Sequence, residues 1–275
     1  FSTPCSLAVL DVCEQNELLM LEPVATSPAL TDGSEWVFRI SPTNELDASM
    51  IAASLPGLGF NKVAYMPVDN DWGISVVDSY IPHLEAAGAE TVCIEPIAIG
   101  ETNYLSQLTK IKNSGADSII VTQDHEVMAV LFKQMIEAGM TDYKVLSTSG
   151  NSASIIYSLA GEAAEGIYFV EYYANYGMVG GGDSPENIAF TEAFNAAYPD
   201  TPCDYNAVQG LSCADIMAQA LERAGTDERV ALRNAMRETS YQSVRGLIEF
   251  DEFGQSHCPV ILTQIQGGEV HVIPY

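Results

Sequence analysis

Short apolar runs alternate along this chain with longer stretches in which apolar positions recur every three or four residues. The short runs predict strands over 17–23, 36–41, 62–67, 91–97, 117–122, 143–148 and 166–171, because brief apolar runs bounded by turn signals suit buried strands. The helical period predicts helices over 6–16, 44–55, 72–87, 104–114, 126–138 and 154–159. Gly88, Gly115 and Gly139 close three of these helices, where the chain turns through a left-handed conformation that costs glycine nothing. Strands apolar on both faces, joined by amphipathic helices, imply a parallel sheet covered on both sides, the doubly wound α/β architecture.

The segment 172–202 breaks this rhythm. It holds Gly177, Gly180, Gly181 and Gly182, then a helix predicted over 185–198. Two further helices are expected over 205–224 and 227–239. The end is β-rich, with strands expected over 247–250, 259–266 and 270–273, and Gly267-Gly268 favours a hairpin between the last two. A strand pair after a helical block implies that the chain returns to a sheet it had left.

A chain of 275 residues fills one large domain or two smaller ones. Its apolar share of 47 % supplies a core, which excludes disorder driven by low hydrophobicity. No apolar run approaches the roughly 20 residues that span a bilayer. The formal net charge of −26 repels phosphate backbones and anionic membranes, so nucleic acid is excluded as a partner. Such acidity suits an exported or extracellular protein or a salty habitat, and a count of five lysines leans toward salt. The six cysteines, at 5, 13, 93, 203, 213 and 258, form no CxxC pair, which argues against zinc or dithiol chemistry. Most are expected to be buried small hydrophobes. Phe1 opens the chain without Met, a basic segment or an apolar leader, which reads as a cut or processed start.

Catalytic signatures are absent from the sequence. There is no GxSxG elbow and no phosphate-binding GxxxxGK[ST] loop. Gly57-Leu58-Gly59 lies between a helix and a strand, the reverse of the order a dinucleotide site needs. The four histidines make no HExxH or paired metal spacing, and no metal or cofactor is expected. His125 beside Asp124 reads either as a loop histidine at a strand end or as half of an acid–base pair.

The carboxyl ends of parallel strands are where open α/β sheets bind ligands. Here they lead into Val24-Ala25-Thr26-Ser27-Pro28, Asp69 to Trp72, Gln123-Asp124-His125 and Ser149-Gly150-Asn151. Hydroxyls and free N–H groups at such turns hold carboxylates. Asp71 and Ser27 equally suit plain helix caps, and Trp72 equally suits core packing.

Several segments resemble the type I periplasmic binding proteins, and within them the leucine/isoleucine/valine-binding branch that serves ABC importers. They are Pro23 to Asp32 followed by Trp36-Val37-Phe38-Arg39, the strand and turn over 63–73, the helix start over 100–112, Gly161 to Gly166, and Ala220 to Gly225. The resemblance implies two doubly wound parallel-sheet lobes joined by a three-strand hinge. Lobe 1 would take 1–42 and 173–250, and lobe 2 would take 43–172 and 256–275. Family members carry additional βα units ahead of the point matched by Phe1, so the chain is expected to be N-terminally truncated and its first lobe incomplete.

The resemblance also implies a pocket. Thr3, with Ser2 beside it, would take the carboxylate of an amino acid at a helix N-terminus. The Val24 carbonyl and Thr26 would add contacts, Trp72 would supply a second-lobe aromatic, and Tyr205 a first-lobe one. The family's carboxylate for the ligand ammonium falls near Ser149, which is uncharged, while Asp124 stands at an adjacent strand end with a carboxylate to offer. The implied activity is solute capture outside the cytoplasm, periplasmic or extracellular with lipid or membrane association open. Hinge closure would present an amino acid or similar small solute to an ABC permease, without catalysis or cofactor. A ligand-sensing domain on the same fold and an enzyme on a doubly wound sheet are the competing readings.

Overall fold

A computed structural model describes residues 2–275; Phe1, where the expected first lobe and the abrupt start begin, lies outside the described residues. In chain order the elements are α1 (Thr3–Gln15), β1 (Met20–Glu22), β2 (Val37–Arg39), α2 (Asn44–Ile51), β3 (Lys62–Pro67), α3 (Asp71–Ala86), β4 (Glu90–Ile94), α4 (Leu105–Ser114), β5 (Ser118–Thr122), α5 (His125–Glu137), β6 (Lys144–Ser147), α6 (Ala153–Ala160) and β7 (Tyr168–Glu171). They continue with α7 (Pro185–Ala197), α8 (Tyr205–Ala224), α9 (Arg229–Arg237), β8 (Ser240–Ser243), β9 (Gly246–Glu249), β10 (Ile261–Gln266) and β11 (Glu269–Ile273).

The chain divides into two compact units. The first holds the chain up to Thr43, Tyr172–Tyr176 and Gly182–Pro259; the second holds Asn44–Glu171, Gly177–Gly181 and Val260–Tyr275.

A seven-stranded sheet in the order β11-β10-β7-β6-β5-β3-β4 forms the centre of the second unit. Pairings among β3 to β7 are parallel, and β10 joins β7 antiparallel. The expected return to an abandoned sheet is thus made by β10, and the Gly267-Gly268 turn closes the β10–β11 hairpin. Every residue of β5 is buried, as a strand covered on both faces requires. Leu108, Ile111, Leu131, Phe132 and Ile156 of the helices pack onto Ala64, Ile119, Val121 and Phe169 of the sheet. Gly88, Gly115 and Gly139 all have positive φ, as their place after helices predicts.

Among the described residues the first unit carries a parallel pair, β1–β2, an antiparallel hairpin, β8–β9, and four α-helices. Its core gathers Phe38, Ile40, Ile216, Ala220, Met236 and Ile248.

Three expectations change. Strand 91–97 ends at Ile94, because Pro96 has no N–H for the ladder; the contact resumes where the Ile97 N–H donates to the Pro67 carbonyl at 2.8 Å. β8 was not expected, because Ser240 to Ser243 carry no apolar run and owe their strand form to the ladder with β9. The cysteines are mostly not buried: Cys258 is, Cys5 is exposed, and the other four are half-buried, with all six free. Cys5 follows the buried Thr3 by two positions, which turns it to another side of α1. Among the described residues no helix is long and apolar enough to cross a membrane.

Candidate functional site

In the first unit the turn after β1 is organised by a carboxylate. Glu22, 2 % exposed, accepts the N–H groups of Val24 and Ala25, both at 2.9 Å, and the Ser6 hydroxyl. Three donors offset the cost of burying the charge. Because Ser6 lies on α1, the same carboxylate ties the first turns of that helix to the loop at 23–28. Cys213 lies close enough for Glu22 to act on it: burial first, and the negative charge second, push its thiol up to about 12.

Thr3 and Thr26 are each 2 % exposed, and neither hydroxyl has a hydrogen-bond partner among the described residues. Ser2 stands at the N-cap of α1 with φ 86° and makes no side-chain cap bond. The Val24 carbonyl accepts the Tyr172 hydroxyl at 3.2 Å, which leaves one lone pair for another donor. Tyr205, at the start of α8, packs edge-on against Tyr172 with ring centroids 4.9 Å apart. The Arg245 guanidinium lies over the Tyr172 ring, 5.5 Å from its centroid, and donates to Gln209 Oε1 at 2.8 Å. Gln209 in turn donates to the Pro23 carbonyl. Val24 and Tyr205 are therefore brought together through Tyr172, and a ring of contacts through Gln209 and Arg245 closes on the same turn.

In the second unit three loops at the carboxyl ends of β3, β5 and β6 meet. Asn70, rather than Asp71, caps α3, accepting the N–H groups of Trp72 at 2.9 Å and Gly73 at 3.2 Å. Gly73 has to be glycine: a Cβ there would lie 1.9 Å from the Val68 carbonyl oxygen. This tight start sets Trp72 against Gly150 in the loop after β6. Ser149, fully buried, donates its hydroxyl to the carboxylate of Asp47 on α2, also fully buried.

Asp124 is the N-cap residue of α5 but makes no side-chain cap bond, and its carboxylate stands exposed. Its flanks are pinned to the β6 loop. Asn151 Nδ2 donates to the Gln123 carbonyl at 3.1 Å, and the Ser152 N–H donates to His125 Nε2 at 3.0 Å. Accepting there leaves that nitrogen without a proton. Trp72, Asp124 and Ser149 thus occupy adjoining loops at one end of the sheet. Among the described residues no cluster of His, Cys, Asp and Glu is arranged to hold a metal ion.

Sequence reading missed Glu22, Tyr172, Gln209 and Arg245 in the first unit and Asp47 in the second. Asp47 alone left a signal: it lies at helical spacing with the buried Asn44 and Ile51, so a charge sits on the apolar face of α2.

The chain is 24 % identical over 246 residues to the leucine-, isoleucine-, valine-, threonine- and alanine-binding protein of Pseudomonas aeruginosa, covering 89 % of this chain and 64 % of that protein. The chain therefore spans about two thirds of that relative's length. In structure it superposes on a leucine-binding protein, LivK, of Thermotoga maritima with a TM-score of 0.85 at 23 % identity, covering 98 % of this chain and 76 % of that one. It superposes equally on a solute-binding protein of an ABC transporter from R. palustris in complex with benzoate, with a TM-score of 0.86 at 21 % identity and coverage of 98 % and 73 %. Likeness at this level of identity establishes a common fold, that of a mixed α/β protein with a mostly parallel central sheet. The profile of the family described as periplasmic binding protein matches residues 1–269, so the chain belongs to the periplasmic binding protein family.

Proposed function

We propose that this chain is the extracytoplasmic solute receptor of an ABC importer and captures an amino acid or a related small polar solute without chemically changing it. Candidate solute contacts lie within each unit, taken separately. Thr3, Thr26 and the remaining lone pair of the Val24 carbonyl come from the first, with Ser2 and Tyr205 as neighbours. Trp72, Asp124 and Ser149 come from the second.

The observation that carries this reading is the pair of buried hydroxyls on Thr3 and Thr26 that have no partner among the described residues. A buried polar group left unpaired costs about 1–3 kcal/mol, and such groups in a folded protein call for an explanation. A carboxylate, an acceptor of several hydrogen bonds, supplies one. The Thr3 hydroxyl stands in the first turn of α1, where anions are favoured. The relative named for binding five amino acids supports an amino-acid solute. The benzoate complex supports a carboxylate as the shared feature, with the rest of the solute open to variation.

The test is a thermal-shift screen of amino acids, their amides and small carboxylates, followed by calorimetry on the hits. Saturable binding of an amino acid or carboxylate is expected, weakened when Thr3 or Thr26 loses its hydroxyl. A family member that binds none of these, or whose binding ignores both substitutions, does not work as proposed.

A further inference from the structure

The buried Asp47 has no place in the reading above, and its contact with Ser149 has a chemical consequence. A hydroxyl has one proton and two lone pairs. The Ser149 hydroxyl donates that proton to the Asp47 carboxylate, so toward anything else it can only accept. Both side chains are fully buried, which fixes this polarity by packing as well as by the bond. We infer that Asp47 is a positioning residue for solute selection: it turns the Ser149 proton away from the solute, so that this loop accepts an N–H and discriminates for a protonated amine. The inference rests on the proposed function, because it takes Ser149 as a solute contact.

The surrounding groups agree. Asp124, on the adjoining loop, is a carboxylate without a cap bond. Asn151 Oδ1 is buried without a partner, on a residue 2 % exposed. Three acceptors on neighbouring loops match the three donors of an ammonium group. Gln123 Nε2 is the unpartnered donor close by, and it suits an oxygen of the same solute. The arrangement places the negative charge one residue removed from the solute, which a serine in the contact position would not itself suggest.

L-leucine and 4-methylpentanoate, the same molecule without its amine, are the probes, and calorimetric affinities are the readout, with melting temperatures recorded alongside. The unaltered protein is expected to favour leucine. Asp47→Asn frees the serine proton and should reduce the leucine-to-4-methylpentanoate preference roughly ten- to hundredfold, the range for a hydrogen bond to a charged group. Ser149→Ala should reduce it comparably, and the double variant no further than either single one, because the two residues act as a unit. Equal losses for both probes, or additive losses in the double variant, would show a structural role only and overturn the inference. Should Asp47→Asn fail to fold, Ser149→Ala decides alone: an unchanged preference overturns it. If the unaltered protein binds both probes equally, the inference fails while the solute-binding reading stands. If it binds neither leucine, nor 4-methylpentanoate, nor any other compound of the screen, both fall.

Discussion

The Trp72 indole lies against Gly150 so closely that a Cβ on residue 150 would come within 3.4 Å of its Cζ2 atom. Gly150 also has φ 98°, a conformation other residues adopt only under strain. The ring position and the loop after β6 are therefore set together. Trp72→Ala should weaken solute binding by about 2 kcal/mol or more, as loss of a large aromatic contact does, and abolish any solute-induced change in fluorescence from that indole. Gly150→Ala should shift the ring and weaken binding in the same direction by a smaller amount. Unchanged affinity in Trp72→Ala would remove this indole from the solute contacts.

Glu22 makes a different kind of contribution, because it acts on the turn and not on the solute. Glu22→Gln replaces an acceptor of three bonds with a group that brings its own donor toward them, and buried donors are left unpaired. A loss of about 1–3 kcal/mol is expected in urea unfolding, with Ser6→Ala costing less because it removes one bond of the three. Wild-type stability in Glu22→Gln would mean that the turn does not depend on the carboxylate.

Asp124 offers a free negative charge at the start of α5. Asp124→Asn should weaken a zwitterionic or cationic solute much more than a neutral one, since a charge-assisted hydrogen bond is about twice as strong as a neutral one. Equal weakening of both would reject Asp124 as the partner of a solute ammonium. Stability should hardly change, because the side chain is exposed and caps nothing.

The alkaline limb of stability has a defined sign. The Cys213 thiol titrates near 9.0 when unfolded and is pushed up to about 12 in the fold, by burial first and by Glu22 second. Between these values the folded state holds the proton and the unfolded state releases it. This contribution is therefore fully present below pH 9 and is lost as pH rises toward 12. Cys213→Ala should flatten the fall in stability just above pH 9, measured by denaturant unfolding. At neutral pH Cys5, exposed on α1, should react with thiol reagents first, and Cys213 should resist until the protein unfolds.

Much of the second unit is legible in the sequence. Residues 62–67 are apolar enough to read as a buried strand, and β3 spans that same range because nothing competes with the ladder there. The glycine stops and the strand-end loops carrying Trp72, Asp124 and Ser149 are equally local signals. Polar residues working at long range are not legible. Gln209 reads as an ordinary position on α8, and its link from Pro23 to Arg245 exists only once three distant segments pack together. Arg245 precedes a hairpin glycine and looks like a surface charge, yet it is 7 % exposed and rests over an aromatic ring. Thr3 and Thr26 stand out in the sequence only by resemblance; the burial of their hydroxyls depends on packing between distant segments, which no local pattern carries.

Thr26→Val tests the central proposal most directly, by calorimetric titration of the protein and this one variant with the tightest solute from the screen. Valine keeps the shape and removes the unpartnered hydroxyl, so the melting temperature should hold or rise, since burying a hydroxyl without a partner is unfavourable. Affinity should nevertheless fall by about 1 kcal/mol or more, because the solute loses the donor it satisfies. A variant that binds the solute undiminished, or that loses stability and binding in equal measure, would contradict the assignment of these hydroxyls to a solute.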